Sequence, residues 1–299
     1  LVFVSTFTPG ESPINTLLLA ESIRAFAGRY ADSRIQIYVT PEGEVPEAVK
    51  NRLVSLGAEL IPVKVDKSAS SFFFMADVHA AAEAEKRLKG ETETLVWMSP
   101  NTLVLHEPRE LILPLGKSLA YRPVHITNIG SKLGAPLDTF WTLIYKHCGV
   151  DEGRVWSVKT HVDGNTLRAY VNAGHLAVRP EVHIFEAWLR KFNELYMHPD
   201  FIPFYAEGRY RIFMHQAVLS AVAVTKVPKG ELLELPPTYN YPIHLYEADI
   251  SGRRPVSVDD LVTVRHEGFY EEPDWEEKMP AGAESKAWLR ERLRTLRQS

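Results

Sequence analysis

Eleven histidines are scattered along the 299 residues, and the one cysteine, Cys148, stands alone. A single cysteine rules out an internal disulfide and any multi-cysteine zinc site, and it reads as a small buried hydrophobe. No pair of histidines has metal-ligand spacing followed by a third ligand, so core and surface roles are expected for most of them. His79 and Glu83, four apart on a helical stretch, read as an exposed pair and not as a catalytic dyad. The sequence contains no Gly-rich Walker loop, no Gly-x-Gly-x-x-Gly, no His-Glu-x-x-His and no Gly-x-Ser-x-Gly. P-loop enzymes, dinucleotide oxidoreductases with the standard fingerprint, common zinc proteases and typical serine hydrolases are thereby set aside. What is left is a pair of short polar phrases beside apolar runs. Ser99-Pro100-Asn101 follows Leu95-Val96-Trp97-Met98 and has the composition of an ordinary turn. Asn172-Ala173-Gly174 reads as a turn between two strands, with Gly174 supplying a positive φ.

The elements around these phrases follow a strand-helix rhythm. A β-branched, apolar run over 1–6 predicts a buried strand. Thr8-Pro9-Gly10-Glu11-Ser12-Pro13 is a turn cluster in which Ser12 is placed to cap a helix and Pro13 to open it. Helices are predicted over 14–26, 45–56 and 74–89, and strands over 34–40, 59–65, 94–97 and 102–105. Strands alternating with helices imply parallel crossovers. From Pro108 the pattern becomes mixed, with short strands over 119–121, 167–170, 174–178, 232–235 and 262–266 and helices over 139–148, 184–195 and 210–223. Open α/β sheets bind ligands beyond the carboxyl ends of their strands, which points to the loops after Val4, Val39, Trp97 and Val264.

The chain is 45% hydrophobic and 24% charged with a net charge of −4, the profile of a globular protein with enough apolar surface for a layered core. No basic stripe interleaved with aromatics runs through it, so no nucleic-acid partner is expected. No apolar run approaches the roughly 18–20 residues of a membrane span. No asparagine has Ser or Thr two positions on, and a reducing, cytoplasmic setting is expected. The tail over 284–299 places Lys286, Arg290, Arg292, Arg294 and Arg297 opposite Trp288, Leu289, Leu293 and Leu296. Such a basic amphipathic helix can dock on the body, on a twin subunit or on an anionic membrane surface.

Four phrases, in order, resemble the glycogenin-like (family 8) glycosyltransferases. Leu95-Val96-Trp97-Met98-Ser99-Pro100-Asn101-Thr102-Leu103-Val104-Leu105 is similar to that family's strand ending in Asp-x-Asp-Thr-Leu-Val-Leu, with both aspartates replaced. Tyr170-Val171-Asn172-Ala173-Gly174-His175-Leu176 resembles its Asn-x-Gly turn, whose amide contacts the donor sugar. Met214-His215-Gln216-Ala217-Val218-Leu219 resembles its Asp-Gln-x-x-Leu-Asn helix start, with His215 in place of the acid. Val264-Arg265-His266-Glu267-Gly268, with Pro273 and Trp275 beyond, resembles its His-x-x-Gly ending in Lys-Pro-Trp. The lysine is missing, and Glu271 and Glu272 stand nearby.

The resemblance implies an α/β fold of the GT-A type, a three-layer sandwich around a central mixed, mostly parallel sheet. It divides a single domain over 1–299 into a nucleotide-binding half over 1–107, a sugar and acceptor half over 108–270 and a tail over 271–299. It implies a nucleotide-sugar donor, UDP-linked by family analogy, and an acceptor of unspecified identity. Thr6, Ser99, Asn101, Asn172, Gly174, Arg211, His215, Gln216, Arg265 and His266 become the candidate donor-site residues. The family's Mn²⁺ or Mg²⁺ needs carboxylates that Ser99 and Asn101 do not supply, so no tightly bound metal is expected. Fixed cations would then stand in for it, with Arg265, Arg211, Lys159 and Lys132 as candidates and Arg265 and Arg211 facing one cleft. The resemblance supplies no enzymic base, and no catalytic residue is assigned. Losing both aspartates and the lysine also fits a non-catalytic descendant that binds a glycan, a nucleotide or a protein. A nucleotidyltransferase fits less well, because 6–13 holds one glycine and no basic residue.

Overall fold

The computed structural model describes residues 1–7, 12–40, 45–65 and 72–297. The first half alternates strands β1 (Val2–Phe7), β2 (Arg34–Val39), β3 (Ala58–Pro62) and β4 (Leu95–Met98) with helices α1 (Pro13–Phe26), α2 (Glu47–Ser55) and α3 (Met75–Leu88). Every residue of β1 and β4 is buried, as expected of strands covered on both faces. Pro13 opens α1, but Ser12 makes no side-chain cap; its carbonyl accepts from the Asn15 amide at 3.0 Å. The expected loops after β1 and β2 include 8–11 and 41–44, which lie outside the described residues.

The second half holds β5 (Thr102–Val104), β6 (Leu119–Pro123), α4 (Thr139–Cys148), β7 (Ser157–Lys159), β8 (Thr166–Arg168) and β9 (Val171–Val178). It continues through α5 (Ile184–Leu195), α6 (Gly208–Lys226), β10 (Leu232–Glu234), β11 (Tyr241–Pro242), β12 (Thr263–Arg265), α7 (Trp275–Lys278) and α8 (Ala283–Arg297). A seven-stranded sheet runs β10-β6-β9-β4-β1-β2-β3, and a three-stranded sheet runs β11-β12-β5. In the large sheet β9 alone opposes its neighbours, pairing antiparallel with both β4 and β6. Alternation along the strands sends Val2, Val4 and Trp97 into the core beneath α3, α5 and α6, and Phe3, Val96 and Met98 into the core beneath α1 and α2. The result is the expected three-layer α/β sandwich around a mixed, mostly parallel sheet.

A second local expectation, after the Ser12 cap, is overturned. Asn172-Ala173-Gly174 is no turn: it lies inside the continuous strand β9, and Gly174 is not among the glycines with positive φ. β9 outruns β4 at this end, and its backbone groups find other partners. The Gly174 carbonyl accepts from the Ser99 amide at 2.8 Å. The Val171 and Ala173 amides donate to Ser220 Oγ at 3.0 Å and Gln216 Oε1 at 3.1 Å, both on α6. A buried amide without an acceptor is costly, so these two side chains keep the strand extended where a neighbouring strand is lacking.

The basic tail docks on the body. In α8, Leu289 and Leu293 are buried, the Trp288 ring lies 5.1 Å from that of Phe26, and Arg292 Nε donates to Glu21 Oε2 at 3.2 Å. Trp288, Leu289 and Leu293 are thus packed on the body, against α1 and the cluster around Leu103, Tyr241 and Trp275. No helix among the described residues is long and apolar enough to cross a membrane.

Candidate functional site

The carboxyl ends of β4, β6 and β12 and the amino end of antiparallel β9 converge on a cleft of about 220 Å³. Six of the ten candidate residues line it: Ser99, Asn172, Gly174, His215, Gln216 and Arg265. Phe74, Trp188 and Phe213 add aromatic surface, and His125 and His244 lie across from them in the loops after β6 and β11.

The two positions where aspartates were expected carry an ion-pair network. Arg265 Nη1 donates to Ser99 Oγ at 3.0 Å, and its Nε is hydrogen-bonded to Glu267. Asn101 Nδ2 donates to the other oxygen of Glu267 at 2.8 Å. Gly174 is required here for closeness and not for backbone freedom. A Cβ at this position would fall inside the Arg265 guanidinium and 2.6 Å from Ser99 Oγ. Burial acts to raise the Glu267 carboxyl, but the charge and hydrogen bond of Arg265 outweigh it and hold the group below its ordinary range. Glu267 also adopts a left-handed backbone with φ of 46°, which is uncommon for this residue type.

A second carboxylate lies on the floor. Asp77 in the first turn of α3 is 7% exposed, and its Oδ1 accepts from Thr6 Oγ1 at 2.6 Å. Thr6, itself fully buried, thus reaches the site through Asp77. Burial pushes the Asp77 carboxyl up to about 6, against the Thr6 hydrogen bond and the charge of Arg265, which both pull it down.

The histidines of the cleft are held neutral. Burial lowers His215 to about 3, and its Nδ1 bonds the Ile212 carbonyl at 2.8 Å. That bond requires the proton on Nδ1 and leaves Nε2 as an acceptor. Burial likewise lowers His125, with the charge of Arg265 adding to the shift, and His244, where burial prevails over the opposing charge of Glu267.

The other candidates lie off the cleft lining. His266 is buried against Tyr270 at a ring distance of 4.6 Å, and its Nδ1 accepts from the Gly268 amide at 3.2 Å. Asn101 sits at the rim, joined to the cleft through Glu267. Arg211 lies over the rings of Phe72 and Phe73 at 5.4 and 5.9 Å, so among the described residues it does not share the cleft with Arg265. Lys132 and Lys159 line it no more than Arg211 does; Lys159 lies on β7 and Lys132 bridges to Leu167.

Asp77, His125, Asn128, Phe213, His244 and Glu267 line the cleft but were not singled out from sequence. Glu267 follows directly on Arg265 and His266, both of which the sequence points to. Asp77 carried a weaker signal, an acid in the first turn of a helix that follows a strand. Elsewhere His147, His198 and Asp200 bring ligand atoms within 4.8 Å of one another, a grouping that linear spacing did not show. His147 Nε2 meets Asp200 Oδ2 at 2.8 Å, and the Asp200 backbone amide donates to His198 Nδ1 at 3.2 Å.

A profile of the Rhodobacterales glycosyltransferase domain matches residues 3–225. No curated protein matches in sequence. Among solved structures, the apo form of the bifunctional glycosyltransferase WbbM is similar with a TM-score of 0.50 at 16% identity, covering 93% of this chain and 49% of that one. Mouse xyloside xylosyltransferase 1 in its apo form is similar at 0.48 and 13%, over 89% of this chain and 98% of that one. Galactosyltransferase LgtC in complex with donor and acceptor sugar analogues is similar at 0.49 and 14%, over 93% and 100%. The likeness to WbbM shows a shared fold, the GT-A type.

Proposed function

Because this chain belongs to the Rhodobacterales glycosyltransferase domain family, we propose that its cleft takes a nucleotide-diphospho-sugar and passes the sugar to an acceptor. The resemblance to glycogenin-like enzymes favours a UDP-linked donor. One observation carries the reading: a guanidinium, Arg265, is packed on Gly174 and bonded to Ser99 where the first aspartate of a metal pair was expected. Arg265 lies beyond the region that the family profile matches.

A diphosphate leaving group gains negative charge as its bond to the sugar breaks, and a positive partner must stabilise it. In this reading the partner is Arg265. Unit charges about 4 Å apart interact by roughly 4 kcal/mol at an effective dielectric near 20. The donor set does not fit Mg²⁺ or Mn²⁺: Ser99 Oγ receives an N–H from Arg265, Asn101 offers a neutral oxygen, and Glu267 is engaged by both. No step is routed through a metal.

A second reading draws on the same network. Glu267 offsets much of the charge of Arg265, which suits a descendant that binds a nucleotide or glycan without transferring it. Titration with UDP, GDP and their sugars, in EDTA and in Mn²⁺, tests the first reading. Stabilisation by several degrees in EDTA is expected, with affinity at least tenfold weaker and donor hydrolysis lost in Arg265→Ala. No response to any nucleotide, or a strict need for Mn²⁺, would overturn it. Tight binding with no hydrolysis or transfer of any bound donor would select the second.

A further inference from the structure

Asp77 is the buried carboxylate of the cleft, and its bonding is incomplete. An ionised carboxylate has acceptor sites for about four hydrogen bonds. Among the described residues only Thr6 bonds to Asp77, at Oδ1, although the side chain is 7% exposed and borders the cleft. The neighbouring walls offer it little, since Phe74, Trp188 and Phe213 carry no donor that reaches it. Burying a carboxylate beside rings without full hydrogen bonding is unfavourable, and an occupant of the cleft that displaces solvent there has to supply the missing donors.

The chemistry of that occupant is constrained from both sides. In the nucleotide-sugar reading Arg265, bonded to Ser99, is where the anionic end is stabilised. A phosphate against Asp77 would set like charges together, so the group that meets Asp77 is a neutral donor of hydrogen bonds. Vicinal hydroxyls of a pyranose fit, because two adjacent O–H groups can donate to one carboxylate. We propose that Asp77, steadied by Thr6, is the residue that holds sugar hydroxyls, so that the cleft takes a bipolar ligand with its anionic end toward Arg265 and its hydroxyl end toward Asp77. The proposal rests on the nucleotide-sugar reading and names the residue that recognises the sugar.

The test compares each nucleotide diphosphate with its own sugar conjugate. Calorimetric titration in EDTA would use UDP against UDP-glucose and UDP-galactose, and GDP against GDP-mannose, on the full chain. Wild type is expected to bind one conjugate about tenfold tighter than its parent diphosphate. Asp77→Ala should erase that margin and Asp77→Asn should erase part of it, while affinity for the bare diphosphate holds or improves as a negative charge leaves. Thr6→Val, which keeps the carboxylate but loosens it, should cost two- to threefold of the margin. A cooperative melting transition in each variant checks the fold. Should wild type bind no nucleotide at all, the nucleotide-sugar reading falls and this inference with it. If wild type shows the margin and Asp77→Ala keeps it undiminished, the inference alone is overturned.

Discussion

Two buried acids on α3 make opposite uses of burial. Glu85 is fully buried, and its two oxygens accept from the Ile184 and Glu186 amides at 2.9 and 2.8 Å, so it closes the start of α5. Asp77, nearer the start of the same helix, has one hydroxyl partner and borders an open cleft. Burial pushes both upward, Glu85 to about 8 and Asp77 to about 6, so a raised carboxyl does not by itself mark a site. Completeness of bonding separates them. Glu85 completes another helix, where its removal leaves orphan amides, whereas Asp77 is finished only by something from outside.

Removing Glu85 should be the harsher change. Glu85→Ala leaves the buried Ile184 amide and the part-buried Glu186 amide unpaired at a helix start and should cost about 4 kcal/mol, measured by urea unfolding. A loss below about 1 kcal/mol would show that α5 does not depend on this contact.

Asp77 should behave in the reverse sense. Its folded pKa lies above the unfolded value of 3.8, so its contribution to stability is full below that value and lost as pH rises through about 6. Replacing it by Asn removes the burdened charge. Asp77→Asn should therefore stabilise the chain by roughly 2 kcal/mol at pH 7.5, at about 1.4 kcal/mol per pKa unit less the weaker Thr6 bond. Near pH 4 the variant and wild type should melt together. Equal stability across that whole range would mean the carboxyl is not burdened, and the contrast with Glu85 would collapse.

The smallest effect belongs to the Thr6 hydroxyl, which ties β1 to Asp77. Thr6→Val keeps the shape and removes the donor to Asp77, and should cost about 1 kcal/mol at neutral pH. A cost as large as that of Glu85→Ala would make Thr6–Asp77 a structural clasp of the same kind.

Parts of this arrangement could be read from the sequence because their causes are local. The helix over Thr139–Cys148 is bounded as expected, by Asp138 accepting from the Trp141 amide at 2.8 Å and by Gly149 in a left-handed conformation. The apolar runs of β1 and β4 fixed their places between two layers. Quoted phrases brought Ser99, Gly174, Gln216 and Arg265 to attention, and these do meet in the cleft. The role of Gly174 was misread because a glycine that admits a guanidinium looks, in sequence, like one that makes a turn. Asp77 and Glu267 were missed for another reason. Asp77 meets Thr6 across 71 positions and Glu267 joins Asn101 across 166, pairings that no local pattern of propensity or period encodes, and the short-range pair of Glu267 with Arg265 looks in sequence like an ordinary surface pair. Arg211 was placed by helical spacing alone, which gives its position along α6 and not the rings of Phe72 and Phe73 that it covers.

The end of β9 that forms the cleft floor takes two of its backbone hydrogen bonds from side chains of α6, Gln216 and Ser220. In terms of permitted substitution, those two positions belong to the sheet although they stand on a helix. Each must keep an acceptor of the right reach, while their apolar neighbours Ala217, Val218 and Leu219 are free to exchange volume with one another. Drift in the core of α6 is thereby uncoupled from the shape of the cleft, as long as those two acceptors stay where they are.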